Sequence, residues 1–164
     1  MRIWRICRSP YAAEAFSGEG ARRFGGRPVS GRWSSRGVPM VYSSTSLALA
    51  AMELFVHLEP GQAPSDLIYL SAFLPEGEPG RTVDPAELPP DWWADDETAE
   101  APARELGDAW IRERSSLAML VPSVPIRVEW NVLLNPAHPR MSELQIEVPQ
   151  PFIFDARMFL HAQP

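Results

Sequence analysis

The chain contains no lysine, so each of its 15 basic residues is an arginine. The guanidinium group is a planar, permanently charged fork that suits phosphates and carboxylates. Acidic residues are more numerous, and the formal net charge is −6 at pH 7. Because binding to nucleic acid depends on dense positive charge, this balance disfavours a nucleic-acid partner.

Cysteine and histidine are also scarce. Cys7 is the only cysteine, which excludes an intramolecular disulfide, and it falls in a predicted strand where a buried thiol behaves as a small hydrophobic group. The three histidines, His57, His138 and His161, lack the spacing of a metal-binding motif. No metal is therefore expected.

Long apolar runs are missing as well. No run approaches the roughly 18 residues of a membrane span. The N-terminal sequence MRIWRICRSP interleaves arginines with apolar residues and lacks the uninterrupted apolar segment of a signal peptide. We therefore expect a cytoplasmic protein without a membrane partner, and the length of 164 residues predicts a single domain over residues 1–164.

The segment from Ser17 to Arg32 is rich in glycine and arginine. Glycine lets the backbone approach a ligand closely, and arginine grips phosphate oxygens in pairs, so one interpretation is a diphosphate-binding loop. The other interpretation is an arginine-decorated surface loop. Neither a Walker motif nor a GxGxxG dinucleotide-binding motif is present.

A helix is predicted over residues 47–58, after a polar cluster at 43–46 whose hydroxyls can cap its N-terminus. Apolar residues cover nearly its whole circumference, so we expect it to be buried. Glu53 is the one carboxylate within it. Burying an unpaired carboxylate is expensive, so Glu53 should be paired, neutral or used in chemistry. The alternative is an ordinary i, i+4 pair with His57, worth about 0.2–0.5 kcal/mol.

The remaining pattern predicts a mixed α+β fold. Residues 75–102 read as a long acidic and proline-rich connection, and a turn is predicted at 135–139. The predicted strands are 2–8, 38–42, 67–73, 116–121 and 144–148, and the further predicted helices are 11–16 and 104–114.

The motifs of the chain, in order, resemble the RES-domain family, the toxin components of bacterial toxin–antitoxin modules. They are WRI, SGEGARRFGG, GRWSSRGVPMVYSS, SLALAAMELFVHL, LPPDWW, LGDAW, LVPSV and NVLLNPAHP followed by PFIFDARMF. The resemblance covers nearly the whole chain. It implies a compact mixed α/β fold related to ADP-ribosyltransferases, with NAD as the substrate that is depleted.

The family is named for an arginine, a glutamate and a serine. By motif position these are Arg32 in Gly-Arg-Trp, Glu53 in the LALAAMEL helix and Ser123 in Val-Pro-Ser, and the family's active-site tyrosine matches Tyr42. The resemblance implies that Glu53 stabilises the ribose cation, Arg32 binds the diphosphate, Tyr42 stacks on nicotinamide and Ser123 hydrogen-bonds within the NAD site.

One departure concerns the arginine. Typical members run from a double glycine directly into Arg-Trp, whereas here Arg27 follows the double glycine and three residues intervene before Gly31. Arg27 and Arg32 therefore compete for the family role. Arg32 is favoured because it keeps the adjoining Trp33 and the ten-residue step to Tyr42, with Arg27 as a second diphosphate ligand.

The resemblance implies a toxin that cleaves the nicotinamide–ribose bond of NAD+. Water as acceptor gives an NAD glycohydrolase and phosphate gives an NAD phosphorylase. The alternatives are a mono-ADP-ribosyltransferase that modifies a protein, or a non-catalytic module that binds NAD or a partner. The implied partner is a helical, DNA-binding antitoxin of the Xre type that covers the active-site entrance.

Overall fold

The computed structural model of the chain describes residues 1–18, 31–58 and 63–159. Most of the predicted glycine- and arginine-rich loop, including Arg27, lies outside the described residues. The same holds for His161 at the C-terminal end.

The described residues are organised around one sheet of eight strands, in the order β4-β5-β6-β2-β1-β3-β7, with β8 also paired to β3. The strands are β1 (Arg2–Arg8), β2 (Val41–Ser44), β3 (Leu67–Phe73), β4 (Arg81–Thr82), β5 (Ala118–Pro122), β6 (Trp130–Leu134), β7 (Gln145–Ile146) and β8 (Gln150–Pro151). β4 and β5 are parallel, and the other pairs are antiparallel. The expected α+β fold is confirmed.

Two α-helices accompany this sheet in the described residues, α1 (Leu47–Phe55) and α2 (Glu97–Glu113). Short 3-10 helices span Ser9–Glu14, Pro85–Glu87, Pro139–Glu143 and Ala156–Phe159. Neither α-helix is long and apolar enough to cross a membrane.

Helix α1 differs from its prediction in three respects. Only Ser46 caps it, accepting a hydrogen bond from Leu49 N at 3.1 Å, while the first two serines of the polar cluster belong to β2. The helix ends at Phe55 rather than at residue 58. Leu49 and Ala50 are its only buried residues, so the prediction of a helix buried all round was wrong. An apolar composition does not require burial of every apolar side chain.

Helix α2 begins seven residues earlier than predicted. Asp96 accepts a hydrogen bond from Ala99 N at 2.9 Å and so provides the N-cap. The acidic residues that resembled a solvated connection form its first turn, where carboxylates are favoured by the helix dipole. Pro102, the last residue of the predicted connection, lies inside the helix. Part of the predicted 75–102 connection is therefore helix.

Side chains alternate across the sheet, so its two faces carry different cores. Tyr42, Val121 and Leu133 belong to the core that packs with α2, together with Trp33 and Trp110. The other face forms a second core, whose members include Ile3, Phe16, Val41, Leu70, Val132 and Leu134. Polar side chains that share a face with Tyr42 therefore lie on the α2 side of the sheet.

The turn at residues 31–35 is docked directly on α2. A Cβ atom at Gly107 would overlap the carbonyl oxygen of Trp33, so only glycine permits this approach. Next to it, Asp108 Oδ1 accepts a hydrogen bond from Ser35 N at 2.9 Å. The LGDAW motif thus fixes the segment that carries Arg32.

Gly107→Ala tests this docking. Glycine to alanine inside a helix ordinarily adds about 1 kcal/mol of stability. Here we expect the free energy of unfolding in urea to fall by about 2 kcal/mol or more, because the added methyl group meets backbone rather than a flexible side chain.

Glu105→Ala on the exposed face of the same helix is the control, and it should change stability by less than about 0.5 kcal/mol. A Gly107→Ala protein as stable as the wild type would show that the turn does not need this close contact.

Candidate active site

Glu53 lies in the last turn of α1, and its carboxylate is held by one residue that follows β5 and one residue of β6. Oε1 accepts one hydrogen bond from Ser123 Oγ at 2.8 Å and another from Asn131 Nδ2. Glu53 is partly buried, whereas His57 lies beyond the end of α1 and is exposed. The partners of the carboxylate in this structure are thus two neutral donors supplied by the sheet rather than the histidine one turn away.

Ser123 directly follows β5 and is fully buried. Besides donating to Glu53, its Oγ accepts a hydrogen bond from Ile126 N at 3.1 Å. Its backbone N–H donates to Glu129 O at 2.9 Å, which closes the 123–129 loop. Ser123 therefore joins this loop to Glu53.

Asn131 is a site residue that sequence reasoning missed. It lies in β6, which was not predicted as a strand, and its Oδ1 accepts a hydrogen bond from Ser44 Oγ at 2.7 Å. Ser44 and Asn131 are directly paired across β2 and β6. The signal was the short apolar run Val132–Leu134, which follows Trp130 and Asn131 and ends at the turn residues Asn135 and Pro136.

Tyr42 supports the turn at residues 31–35, which carries Arg32. Its hydroxyl accepts a hydrogen bond from Trp33 N at 3.2 Å and forms another with Ser34 Oγ at 3.0 Å. A Cβ atom at Gly31 would overlap this hydroxyl, so the phenol lies directly beneath the turn. Burial raises the pKa of Tyr42 to about 12, although the hydrogen bonds from Ser34 and Trp33 act in the opposite direction.

The Arg32 guanidinium is engaged within the protein. Nη1 donates to Trp92 O at 2.6 Å and to Ala94 O at 3.1 Å, and Nη2 donates to Ala94 O at 3.1 Å. Nη2 also lies 3.3 Å from Glu100 Oε1. Arg32 thereby ties the turn at 92–94 to the first turns of α2.

These contacts place the predicted site residues in two groups, Tyr42 with the turn that carries Arg32 and Glu53 with Ser123, and strand β2 connects the groups. Tyr42 holds the turn that carries Arg32, and Ser44, two residues later in β2, connects through Asn131 to Glu53. In a separate contact, the Arg127 guanidinium lies 4.2 Å from the ring centroid of Trp93. This contact joins the 123–129 loop to the turn that Arg32 holds.

Within residues 1–18, 31–58 and 63–159, no three histidine, cysteine or carboxylate side chains are grouped so that they could hold a metal ion. The arrangement provides instead a fixed carboxylate on the same side of the sheet as a tyrosine and an arginine.

Comparison with known proteins assigns the family. The RES domain matches residues 2–155. The chain belongs to the RES domain family. This confirms the resemblance seen in the sequence motifs.

RES relatives match along almost their full length. The chain is 38% identical over 164 residues to "Toxin Res" of Pseudomonas putida, covering 97% of this chain and 100% of that protein. It is 33% identical over 164 residues to "Prs ADP-ribosylating toxin" of a Sphingobium species, covering 98% of each.

A solved structure shares the architecture of this chain. The crystal structure of the Mycobacterium tuberculosis MbcT–MbcA toxin–antitoxin complex contains a chain that matches with a TM-score of 0.64 and 19% identity. The match covers 92% of this chain and 83% of that one. At this identity the likeness shows a shared fold.

The raised pKa of Tyr42 predicts a loss of stability at high pH. A tyrosine in the unfolded chain loses its proton near pH 10, whereas Tyr42 in the folded protein keeps it up to about 12. Between these values the folded state binds more protons than the unfolded state, so rising pH favours unfolding. The full difference corresponds to roughly 3 kcal/mol.

Urea unfolding between about pH 9 and about pH 12 measures this effect. Tyr42→Phe should weaken the decline across this range, while Tyr11→Phe, which changes an exposed tyrosine, should leave it as in the wild type. Equal pH dependence of all three proteins would show that Tyr42 does not carry the effect.

Proposed function

We propose that this RES domain protein is a toxin that cleaves the nicotinamide–ribose bond of NAD+, with water or phosphate as acceptor. The observation that carries the proposal is the partly buried Glu53 carboxylate, held through Oε1 by Ser123 and Asn131. Among the described residues, no group donates a hydrogen bond to Oε2. The names of the two relatives support the assignment as a toxin.

The proposed reaction requires a negatively charged carboxylate rather than a group that donates a proton. Nicotinamide leaves as a neutral molecule from a cationic ring, so its departure needs no proton donor. Positive charge then develops on the ribose, as in the transition state of glycoside hydrolysis. A fixed carboxylate beside that carbon stabilises the charge. Neutral partners such as Ser123 and Asn131 orient Glu53 without cancelling its charge, which an arginine partner would do.

The other site residues are assigned to the rest of the NAD molecule. Arg32 binds the diphosphate, which takes the place of the Glu100 carboxylate on the guanidinium, since both are anions that suit the same fork. Arg27 is the second arginine assigned to the diphosphate. Tyr42 stacks on nicotinamide, and Ser123 acts within the NAD site by holding Glu53.

A second candidate is transfer of ADP-ribose to a protein, which the name of the Sphingobium relative favours. The two functions share the bond that breaks and differ in the acceptor. Measuring NAD+ loss with and without phosphate, and identifying the product by mass spectrometry, separates water from phosphate. Labelled NAD+ incubated with a cell lysate reveals transfer to protein. NAD+ that stabilises the fold without being consumed would indicate a binding module.

The proposed partner is a helical, DNA-binding antitoxin of the Xre type that covers the site in the cytoplasm. Its support is the structural match to a chain from a toxin–antitoxin complex. Co-expression of the protein with the product of a neighbouring gene, followed by co-purification and an NAD+ assay, tests this assignment. A partner that binds without lowering NAD+ consumption would exclude a cover over the site.

Glu53→Gln tests the proposed catalytic residue. The amide keeps the shape of the side chain but removes its charge, so we expect kcat to fall by about 100-fold or more. The fold should remain intact, because the change is nearly isosteric. Loss of NAD+ measured by chromatography, together with a thermal melt, checks both expectations.

Glu105→Gln provides the matched control, since it makes the same chemical change at an exposed position of α2. It should consume NAD+ at the wild-type rate. Undiminished turnover by Glu53→Gln would remove Glu53 from the mechanism.

A further inference from the structure

Two consecutive hydrogen bonds connect Ser44 through Asn131 to one oxygen of Glu53. Ser44 Oγ donates to Asn131 Oδ1 at 2.7 Å, and Asn131 Nδ2 donates to Glu53 Oε1. Ser44 is buried, and Asn131 is partly buried. Because a carboxylate oxygen can only accept, it selects the NH2 side of the amide, and the serine hydroxyl can then donate to the carbonyl side. Each end of the Asn131 amide thus has a complementary partner.

The register of the sheet produces this connection. Ser44 and Asn131 face each other across β2 and β6, so their side chains share the α2 side. The preceding residue, Ser43, points to the other side of the sheet, where its Oγ donates to the carbonyl oxygen of Val132. Two adjacent serines of one strand are therefore both buried and hydrogen-bonded, but only Ser44 is connected to Glu53.

The two oxygens of Glu53 have different surroundings. Oε1 receives hydrogen bonds from both Ser123 and Asn131, and among the described residues Oε2 receives none. Two donors on one oxygen fix the plane of the carboxyl group before substrate arrives. Preorganisation of this kind avoids the cost of ordering the group during the reaction.

We propose that Asn131 is a positioning residue for the Glu53 carboxylate, and that Ser44 holds the Asn131 amide so that Oε2 is the oxygen presented to the substrate. The inference rests on the proposed cleavage of NAD+ by Glu53. It assigns Asn131 and Ser44 an effect on turnover that passes through Glu53 and requires no contact of their own with NAD+.

The adjacent serines provide the decisive comparison. Ser44→Ala and Ser43→Ala each remove one hydroxyl that donates a buried hydrogen bond, so both should lower the urea midpoint by similar amounts. Of the two serine variants, only Ser44→Ala should lower kcat, by about tenfold. Asn131→Ala should lower kcat by about 100-fold. KM for NAD+ should stay within about twofold of the wild type in these variants, because uniform substrate binding is unchanged.

Combination with Glu53→Gln tests whether the effect passes through Glu53. In that background, adding Ser44→Ala or Asn131→Ala should not reduce the residual rate of NAD+ loss further, because groups that act as a unit are not additive. A further tenfold loss, a raised KM with unchanged kcat, or equal kcat in Ser43→Ala and Ser44→Ala would each overturn the inference.

The two levels of the proposal fail in different ways. A wild-type protein that leaves NAD+ intact overturns the proposed function and this inference with it. If the wild type consumes NAD+ and both Asn131→Ala and Ser44→Ala have the kcat of the wild type, this inference alone is overturned. Should Asn131→Ala fail to fold, the comparison of Ser44→Ala with Ser43→Ala decides.

Discussion

The site depends on two hydrogen bonds that converge on Glu53 Oε1. Ser123 and Asn131, which supply them, are separated from Glu53 by 70 and 78 positions along the chain. They come from the end of β5 and from β6, which are neighbouring strands. The antiparallel pairing of these strands brings both donors to the same edge of α1. A carboxylate in a mostly apolar helix thereby has two hydrogen-bond partners, and neither of them carries an opposing charge.

The segment that carries Arg32 depends on close steric contact instead. Gly31 leaves room for the Tyr42 hydroxyl, and Gly107 leaves room for the Trp33 carbonyl. Small residues on both sides of the turn allow it to lie between β2 and α2. The cost is low tolerance to added atoms, since a side chain at either glycine would meet groups that are already hydrogen-bonded or part of the backbone.

Sequence patterns predicted the elements whose local signals agree with their final environment. The strands Arg2–Arg8 and Leu67–Phe73 were identified with the boundaries that the structure shows, because apolar residues form the majority of both. The start of α2 was missed because the acidic, proline-rich run at 75–102 was interpreted as a connection, although Asp96 within that run caps the helix. Strand β6 was missed because its short apolar run follows directly on a polar loop. Packing between β2 and β5 gives it an extended conformation that local propensity does not specify.

The sequence by itself determined the family, the α+β class and the four candidate residues Arg32, Tyr42, Glu53 and Ser123, because ordered motifs and the position of one acid in an apolar helix can be read along the chain. Only the tertiary structure decided what each residue contacts. It gave Glu53 two neutral donors, gave Arg32 the carbonyls of Trp92 and Ala94, and added Asn131 and Ser44 to the site. Hydrogen bonds between residues this far apart depend on which strands become neighbours in the sheet, and the residue pattern within one strand does not specify its neighbours.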